Sequence, residues 1–454
     1  MIAGLMPDAI VVAVARRRCV WERGRLARPG QRPQVDNPPQ ARVCSSGRDA
    51  RAPRGLPGQR GGDEMKRRRP KARTRMLGGC LAAAVSVLAS VASATTPGAW
   101  TIQQTERHAV RVTVLTDGLE HPWSLAFLPD GRMLVTERPG RLRYVEADGK
   151  LDPTPIRGLP AAVAEAGQGG LHDVVLHPDF AHNRLVYIAY AGKSGRRYGT
   201  ELARGRLEGH RLEDVEVLFR ALPKSHGGRH FGGRVVLDDN GHVFLTLGDR
   251  GDRPSAQDLG NHAGSVIRLA EDGGVPADNP FASVAGARPE IFSLGNRNVQ
   301  GAALNPWTGE LWTHEHGPQG GDEVNVIRSG ANYGWPVITF GKNYGIGTSI
   351  GEGTHRDDVA PPLHQWTPSI APSGMAFYDG DRFPGWRGSL LVGALKFRLL
   401  SRLELDGDRV VREERMLEDV LGRIRDVRVG PDGLVYLLND HPNGVIARLE
   451  PEGG

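Results

Sequence analysis

Residues 237–249, LDDNGHVFLTLGD, decide the fold of this chain. The Asn240-Gly241 pair is hairpin-turn chemistry, because such a turn needs residues that tolerate positive φ. Behind it an apolar run alternates with period two, the mark of a strand. The strand closes on the polar end Gly248-Asp249. The same unit recurs at Phe127–Glu137 (FLPDGRMLVTE), Leu304–Glu315 (LNPWTGELWTHE) and Val429–Asp440 (VGPDGLVYLLND). Weaker copies stand at Val175–Tyr190 and Tyr378–Leu395. From Pro129 to Pro431 the spacing is about 60 residues per copy, so six units fill the 360 residues after position 94. Strand units repeated at a fixed period, with no helical stretches, point to radial repetition that protects sheet edges. The expectation is an all-β, six-bladed β-propeller. A pair of β-sandwiches fits less well, since no linker interrupts the period.

The repeat also suggests where a site would form. Four copies end their strand in polar residues: Thr136-Glu137, Gly248-Asp249, His314-Glu315-His316 and Asn439-Asp440. Equivalent blades would bring these ends to one face around a central channel.

The chain carries 58 Lys+Arg against 52 Asp+Glu, net +6. Residues 1–94 hold 19 of the basic and 6 of the acidic side chains, which leaves the remaining 360 residues with 39 basic and 46 acidic, net −7. The basic balance therefore belongs to a leader, and a nucleic-acid partner is not supported. Residues 65–94 read as a secretory signal peptide. Met65–Arg75 is a positive segment, Met76–Val91 is apolar but short for a membrane span, and Ala92-Ser93-Ala94 is a small-x-small cleavage site. Cleavage is expected after Ala94, with a periplasmic or secreted product and no stable membrane anchor. Residues 1–64, rich in Arg, Pro and Gly, read as a non-translated or disordered extension. The propeller is expected over 95–454. Cys19, Cys44 and Cys80 all precede the cleavage site, so the mature chain has no thiol chemistry and no Cys-x-x-Cys-His haem attachment.

Three polar clusters stand out. Ser225–Val236 (SHGGRHFGGRVV) places His226 and His230 among glycines just before a strand. A histidine there suits a general base near neutral pH, and Asp249 at the far end of the hairpin could orient it. Two surface histidines are the plainer reading. Gly422–Asp426 (GRIRD) sets Arg423 and Arg425 two residues apart, on one strand face, which suits a ligand with several carboxylates or a phosphate. A solvated strand face is the plainer reading. Lys396 and Arg297-Asn298 are further candidate anchors. Glu315–Glu323 (EHGPQGGDE) offers carbonyls and carboxylates, hard oxygen ligands that suit calcium, although a structural turn explains such a segment too. His314 and His316 would point to opposite strand faces and make a poor zinc pair.

Gly167–Phe180 (GQGGLHDVVLHPDF), His226–Arg234, Gly248–Gly251 (GDRG), Arg297–Gly301 (RNVQG), His316–Glu323 (HGPQGGDE), Asn332–Pro336 (NYGWP), Ala371–Tyr378 (APSGMAFY), Gly393–Lys396 (GALK) and Arg423–Gly433 (RIRDVRVGPDG) resemble the soluble aldose sugar dehydrogenases that use pyrroloquinoline quinone (PQQ). The resemblance spans about residues 110–450, and that family's fold is a six-bladed propeller. It implies His230 as the base for the anomeric hydroxyl and Asp249 as its partner. It implies Gln168, Arg297, Asn298, Tyr344, Lys396, Arg423 and Arg425 as cofactor contacts. The carbonyls of Gly317 and Pro318 would bind a catalytic Ca2+, and Glu323 with the Tyr333 carbonyl a further calcium. Val299 departs from the family's usual proline. The implied partners are an aldose sugar and an external electron acceptor, a quinone or small redox protein, with the enzyme a monomer or homodimer. A calcium-dependent propeller lactonase and a non-catalytic binding propeller are the alternatives, but neither needs Lys396, Arg423 and Arg425 together.

Overall fold

In the computed structural model, which describes residues 96–452, each copy of the repeat is the turn and second strand of a hairpin. The expectations for residues 1–64 and 65–94 lie outside the described residues. The hairpin around Asn240-Gly241 pairs Val235–Leu237 with His242–Thr246, so that Leu237 faces Val243 across the turn. The two weaker copies differ because a short helical turn replaces the tight one: Phe180–Asn183 in one and Pro384–Trp386 in the other.

Six antiparallel sheets result, and they are the six blades of a β-propeller. We number them by the chain order of their inner strands: Pro122–Phe127, Leu171–Leu176, Val235–Leu237, Val299–Leu304, Pro372–Phe377 and Ile424–Val429. Each inner strand packs on the next, and the last packs on the first, which closes the ring. Blade 1 has three strands, blades 2 to 5 have four, and blade 6 has five. Blade 6 is built from both ends of the described chain. Ala109–Leu119 pairs with Gly444–Pro451, Thr113 facing Arg448, and Trp100–Gln104 adds the outer edge.

The core lies between adjacent blades. Alternate residues of Ala109–Leu119 are buried, including Val110, Val112, Val114 and Leu119, and they pack with Leu437, Ile446 and Leu449. Between blades 5 and 6, Phe383 and Trp386 stack with ring centroids 4.4 Å apart.

The channel is closed by an ion network instead of apolar side chains. Arg234 meets Asp426 at 2.8 Å, and Arg428 meets both Asp426 and Asp173 at 2.8 Å. The Arg234 guanidinium also lies 4.1 Å from the centre of the Trp123 ring. These groups come from blades 1, 2, 3 and 6, so the network ties inner strands together beneath the site. Among the described residues no helix is long and apolar enough to cross a membrane.

Candidate active site

The glycine-rich segment before blade 3 folds back over the inner strands. Gly232 sits at φ +66, and a Cβ there would lie 2.5 Å from the Thr246 carbonyl oxygen, so a side chain is excluded. His230 is also in the left-handed region, at φ +53, and its backbone N–H donates to Gln168 Oε1 at 2.7 Å. A non-glycine residue held this way is mildly strained, which is common at functional sites. The turn aims the imidazole at the end of blade 3's second strand. His230 Nδ1 lies 2.6 Å from Asp249 Oδ1, with the histidine 11% and the aspartate 1% exposed. Asp249 also accepts from the Gly251 N–H at 2.7 Å and, on Oδ2, from Trp335 Nε1 at 2.8 Å. Burial works against the Asp249 anion, but the bond and charge of His230, the Gly251 N–H and the Arg297 charge together outweigh it and hold its pKa below the usual value. Burial lowers the His230 pKa, and the bond to Asp249 restores only part of the loss. The pair is therefore a neutral imidazole, protonated on Nδ1, beside a carboxylate, with the Nε2 lone pair left to act as a base. His226, by contrast, is exposed and bonds only the Arg196 carbonyl at 3.1 Å.

A cavity of about 390 Å³ lies at the mouth of the channel, within the usual range for a ligand site; Phe231 and Gly232 line it, while His230 and Asp249 themselves do not. Gln168, Asn298, Arg423 and Arg425, which the resemblance implies as cofactor contacts, all line it, together with His121, His316 and Asp440. Arg423 donates to Asp440 at 2.9 and 3.1 Å, and His121 lies 2.8 Å from the same carboxylate. Despite burial, Arg425, His121 and Arg423 hold the Asp440 carboxyl far below its ordinary range. One fixed anion thus sits among the cations. Arg425 Nε is buried without a partner, and its residue lines the cavity. Orphaned donors in a cavity are what a bound anion would satisfy. Burial pushes the Arg425 pKa down to about 10, which leaves it charged at neutral pH. His316 is neutral, its pKa lowered by burial to about 3, and its Nε2 bonds the Pro372 carbonyl at 2.6 Å. Lys396 is not among the lining residues. It is exposed beside the lining residue Leu395, its ammonium 5.2 Å from the Phe397 ring centre. A larger cavity, about 820 Å³, opens on the flank of blade 2, where the buried Glu201 is already bonded to Tyr190 and Lys224.

The calcium candidates fall into two places. Among the described residues no three His, Cys, Asp or Glu cluster in metal-binding geometry, so any calcium here would lean on backbone carbonyls. The Gly317 carbonyl accepts from Arg297 Nη1 at 2.8 Å, and the Pro318 carbonyl accepts from the Tyr344 hydroxyl at 2.9 Å. Arg297 is buried and Tyr344 is 63% exposed, and neither lines the cavity. The second place is better prepared for a cation. Glu315 and Glu323 face each other on paired strands of blade 4, both buried. Like charges directly opposite are destabilising. Glu315 is bonded by Asn296 and by the N–H groups of Arg297 and Asn298, yet burial still raises its pKa to about 7. Burial and the Glu315 charge raise Glu323 further. Asn296 Oδ1 and Asn325 Oδ1 nearby lack any partner. Glu323 and Tyr333 also border a cavity of about 10 Å³, room for one atom-sized occupant. Buried, crowded oxygens short of hydrogen-bond donors fit a hard cation.

The family model for glucose/sorbosone dehydrogenase matches residues 119–448. This chain belongs to the glucose/sorbosone dehydrogenase family. It is 46% identical over 348 residues to the aldose sugar dehydrogenase YliI of Escherichia coli K12, covering 75% of this chain and 93% of the relative. The soluble aldose sugar dehydrogenase of Escherichia coli, solved in its apo form, superposes with a TM-score of 0.73 at 45% identity, covering 76% of this chain and all of that one (100%). A PQQ-bound aldose sugar dehydrogenase from Streptomyces coelicolor superposes with a TM-score of 0.62 at 29% identity, covering 78% and 99%. The chain is thus an oxidoreductase of the sugar dehydrogenase type.

For a glucose/sorbosone dehydrogenase, three residues matter here that the sequence did not single out. Asp440 was visible only as a polar strand end, and a carboxylate among arginines reads against an anion site. His316 was visible only as a polar strand end and a poor zinc ligand. Trp335, in the NYGWP turn, reads as an ordinary core aromatic, and only the fold brings it to Asp249.

Proposed function

We propose that this dehydrogenase oxidises aldose sugars at the anomeric carbon to lactones, with PQQ and Ca2+ as cofactors. The observation that carries the reading is the His230–Asp249 pair, whose chain neighbours Phe231 and Gly232 line a cavity together with Arg423 and Arg425. A base alone would suit many reactions. A base beside paired guanidiniums with an unpartnered buried donor suits proton removal next to a polyanionic redox cofactor.

Arg423 and Arg425 would hold the carboxylates of the quinone, with Gln168 and Asn298 at its edge, Lys396 and Tyr344 at the rim, and Arg297 behind. The carbonyls of Gly317 and Pro318 would hold one calcium, while Glu323 and Tyr333 would hold a second, structural one. When bound, the quinone supplies the acceptor for the anomeric hydride, and calcium the Lewis acid that makes it electrophilic. His230 Nε2 takes the proton of the anomeric hydroxyl, and Asp249 stabilises the imidazolium that forms. Phe231 and Trp123 give the cavity apolar walls that limit water around the base. Electrons leave to an external acceptor, a quinone or small redox protein. Export by the signal peptide, with cleavage after Ala94, would place the enzyme in the periplasm.

The test is reconstitution. Purified protein is mixed with PQQ and CaCl2, and dye reduction is followed with glucose and other aldoses. Turnover should need both additions and collapse in His230→Ala. A folded protein that binds no PQQ at any calcium concentration overturns the reading.

A further inference from the structure

We propose that Trp335 is a positioning residue that holds Asp249, and through it His230, in the geometry and charge state needed for proton abstraction. This rests on the dehydrogenase reading and adds a residue to its machinery.

Trp335 is 4% exposed, and by shape alone it would pass for a core side chain. Its one polar atom is directed at the catalytic pair, since Nε1–H donates to Asp249 Oδ2 at 2.8 Å. Burial does not force such a bond in this protein. The indole nitrogens of Trp312 and Trp386 are just as buried and have no partner. On Asp249, Oδ1 is occupied by His230 Nδ1 and the Gly251 N–H. Trp335 is the donor on Oδ2, and Asp249 is only 1% exposed, so water has little access to replace it. The indole is itself fixed. The Trp335 N–H donates to the Gly295 carbonyl, and the Trp335 carbonyl accepts from Gln257 Nε2, each at 2.8 Å. The ring also lies beside two guanidiniums, Arg297 at 5.4 Å and Arg253 at 5.5 Å. One side chain therefore touches both the proton-handling pair on blade 3 and the Arg297 anchor that leads into blade 4.

The electrostatic consequence has a definite sign. A donor to a carboxylate stabilises its anion. Removing the donor makes Asp249 a stronger proton acceptor and the neighbouring imidazolium more favourable. Both changes raise the pH at which the pair takes up a proton. The charged groups around the pair are Arg229 and Arg250 on its own blade, Arg297 from the neighbouring turn and Arg253 across the indole. Trp335→Phe leaves all four in place.

The experiment compares wild type, Trp335→Phe and Trp335→Leu. His230 is titrated by NMR of its imidazole protons in cofactor-free protein, assigned by difference with His230→Gln. The kcat/KM pH profile of the PQQ- and calcium-loaded enzyme is measured alongside. In Trp335→Phe the His230 midpoint and the acid limb should both rise, by about half to one pH unit. PQQ affinity should stay within about twofold, because the ring is kept; Trp335→Leu should weaken it further through loss of the ring beside Arg297. A tryptophan analogue with sulfur in place of the indole N–H keeps the shape and gives the same readout if Trp335→Phe does not fold. An unchanged midpoint and profile, even with a lower rate, would make Trp335 a packing residue and overturn the proposal. A midpoint that shifts in Trp335→Phe while the wild type shows no PQQ-dependent turnover would instead sink the dehydrogenase reading and leave Trp335 as the holder of the pair.

Discussion

A histidine acts as a base only while it is neutral, and burial keeps His230 so, its pKa lying below the ordinary 6.5. Its partner Asp249 is anionic and nearly inaccessible to solvent. Activity should therefore hold as pH falls through 6.5 and decline only below it, as the imidazole takes up a proton; kcat/KM between pH 5 and 8 checks this. A limb above 6.5 would mean that another group titrates. His230→Ala should lower kcat by about 10²- to 10⁴-fold, with PQQ affinity nearly unchanged, in steady-state and binding measurements. The local pattern put His226 and His230 within reach of Asp249, with two surface histidines the plainer reading, and the resemblance singled out His230. Glycines mark close backbone approach around His230, and Asp249 ends the strand of the same hairpin. Asp440 and Trp335 were not legible, because their roles depend on partners such as His121 and Asp249 in distant segments.

The hairpin is the element that repeats, and it orders the site by putting the end of each second strand beside the start of an inner strand. The turn residues and period-two alternation made these hairpins readable, including the two weaker copies whose turns become short helices. The outer strands were less readable, since their side chains face neighbours that only the ring supplies. Two predictions belong to this scale. In blade 4, Glu315 and Glu323 are paired across adjacent strands. Calcium should raise the melting temperature, by about 2.7 kcal/mol of stability at one hundred times Kd. Glu323→Gln should abolish that response while raising the stability of the metal-free protein, as calorimetry with CaCl2 or EDTA would show. In the channel, Asp173 accepts from Ser124, the Val235 N–H and Arg428. Asp173→Ala leaves Arg428 with one fewer anion and should cost about 3–5 kcal/mol in denaturant unfolding. The His230 midpoint should not move, because the network lies beneath the pair and makes no bond to it.

At the scale of the molecule, the ring is held shut in blade 6, where strands near the start of the described chain pair with its last strand. The period predicted six units but not this closure. Residues 100–119 lack the turn-and-strand signature, and the blade 6 partner of Ala109–Leu119 is more than three hundred positions away. Closure through two ends makes the fold depend on a segment that touches no site residue. Ala109–Leu119 buries Val110, Val112, Val114 and Leu119. At about 1.5–3 kcal/mol per buried side chain, these four alone contribute about 6–12 kcal/mol. A domain's whole stability is about 5–15 kcal/mol. A chain beginning at Glu120 should therefore fail to fold cooperatively, even though it keeps every residue proposed for the site. Removing only the segment before Ala109 deletes the exposed outer strand Trp100–Gln104 and should leave a folded protein of reduced stability. Circular dichroism melts and gel filtration of the two truncations distinguish the cases. If the shorter chain melts cooperatively near the temperature of the full one, blade 6 does not hold the ring, and the site must be organised by the channel network alone.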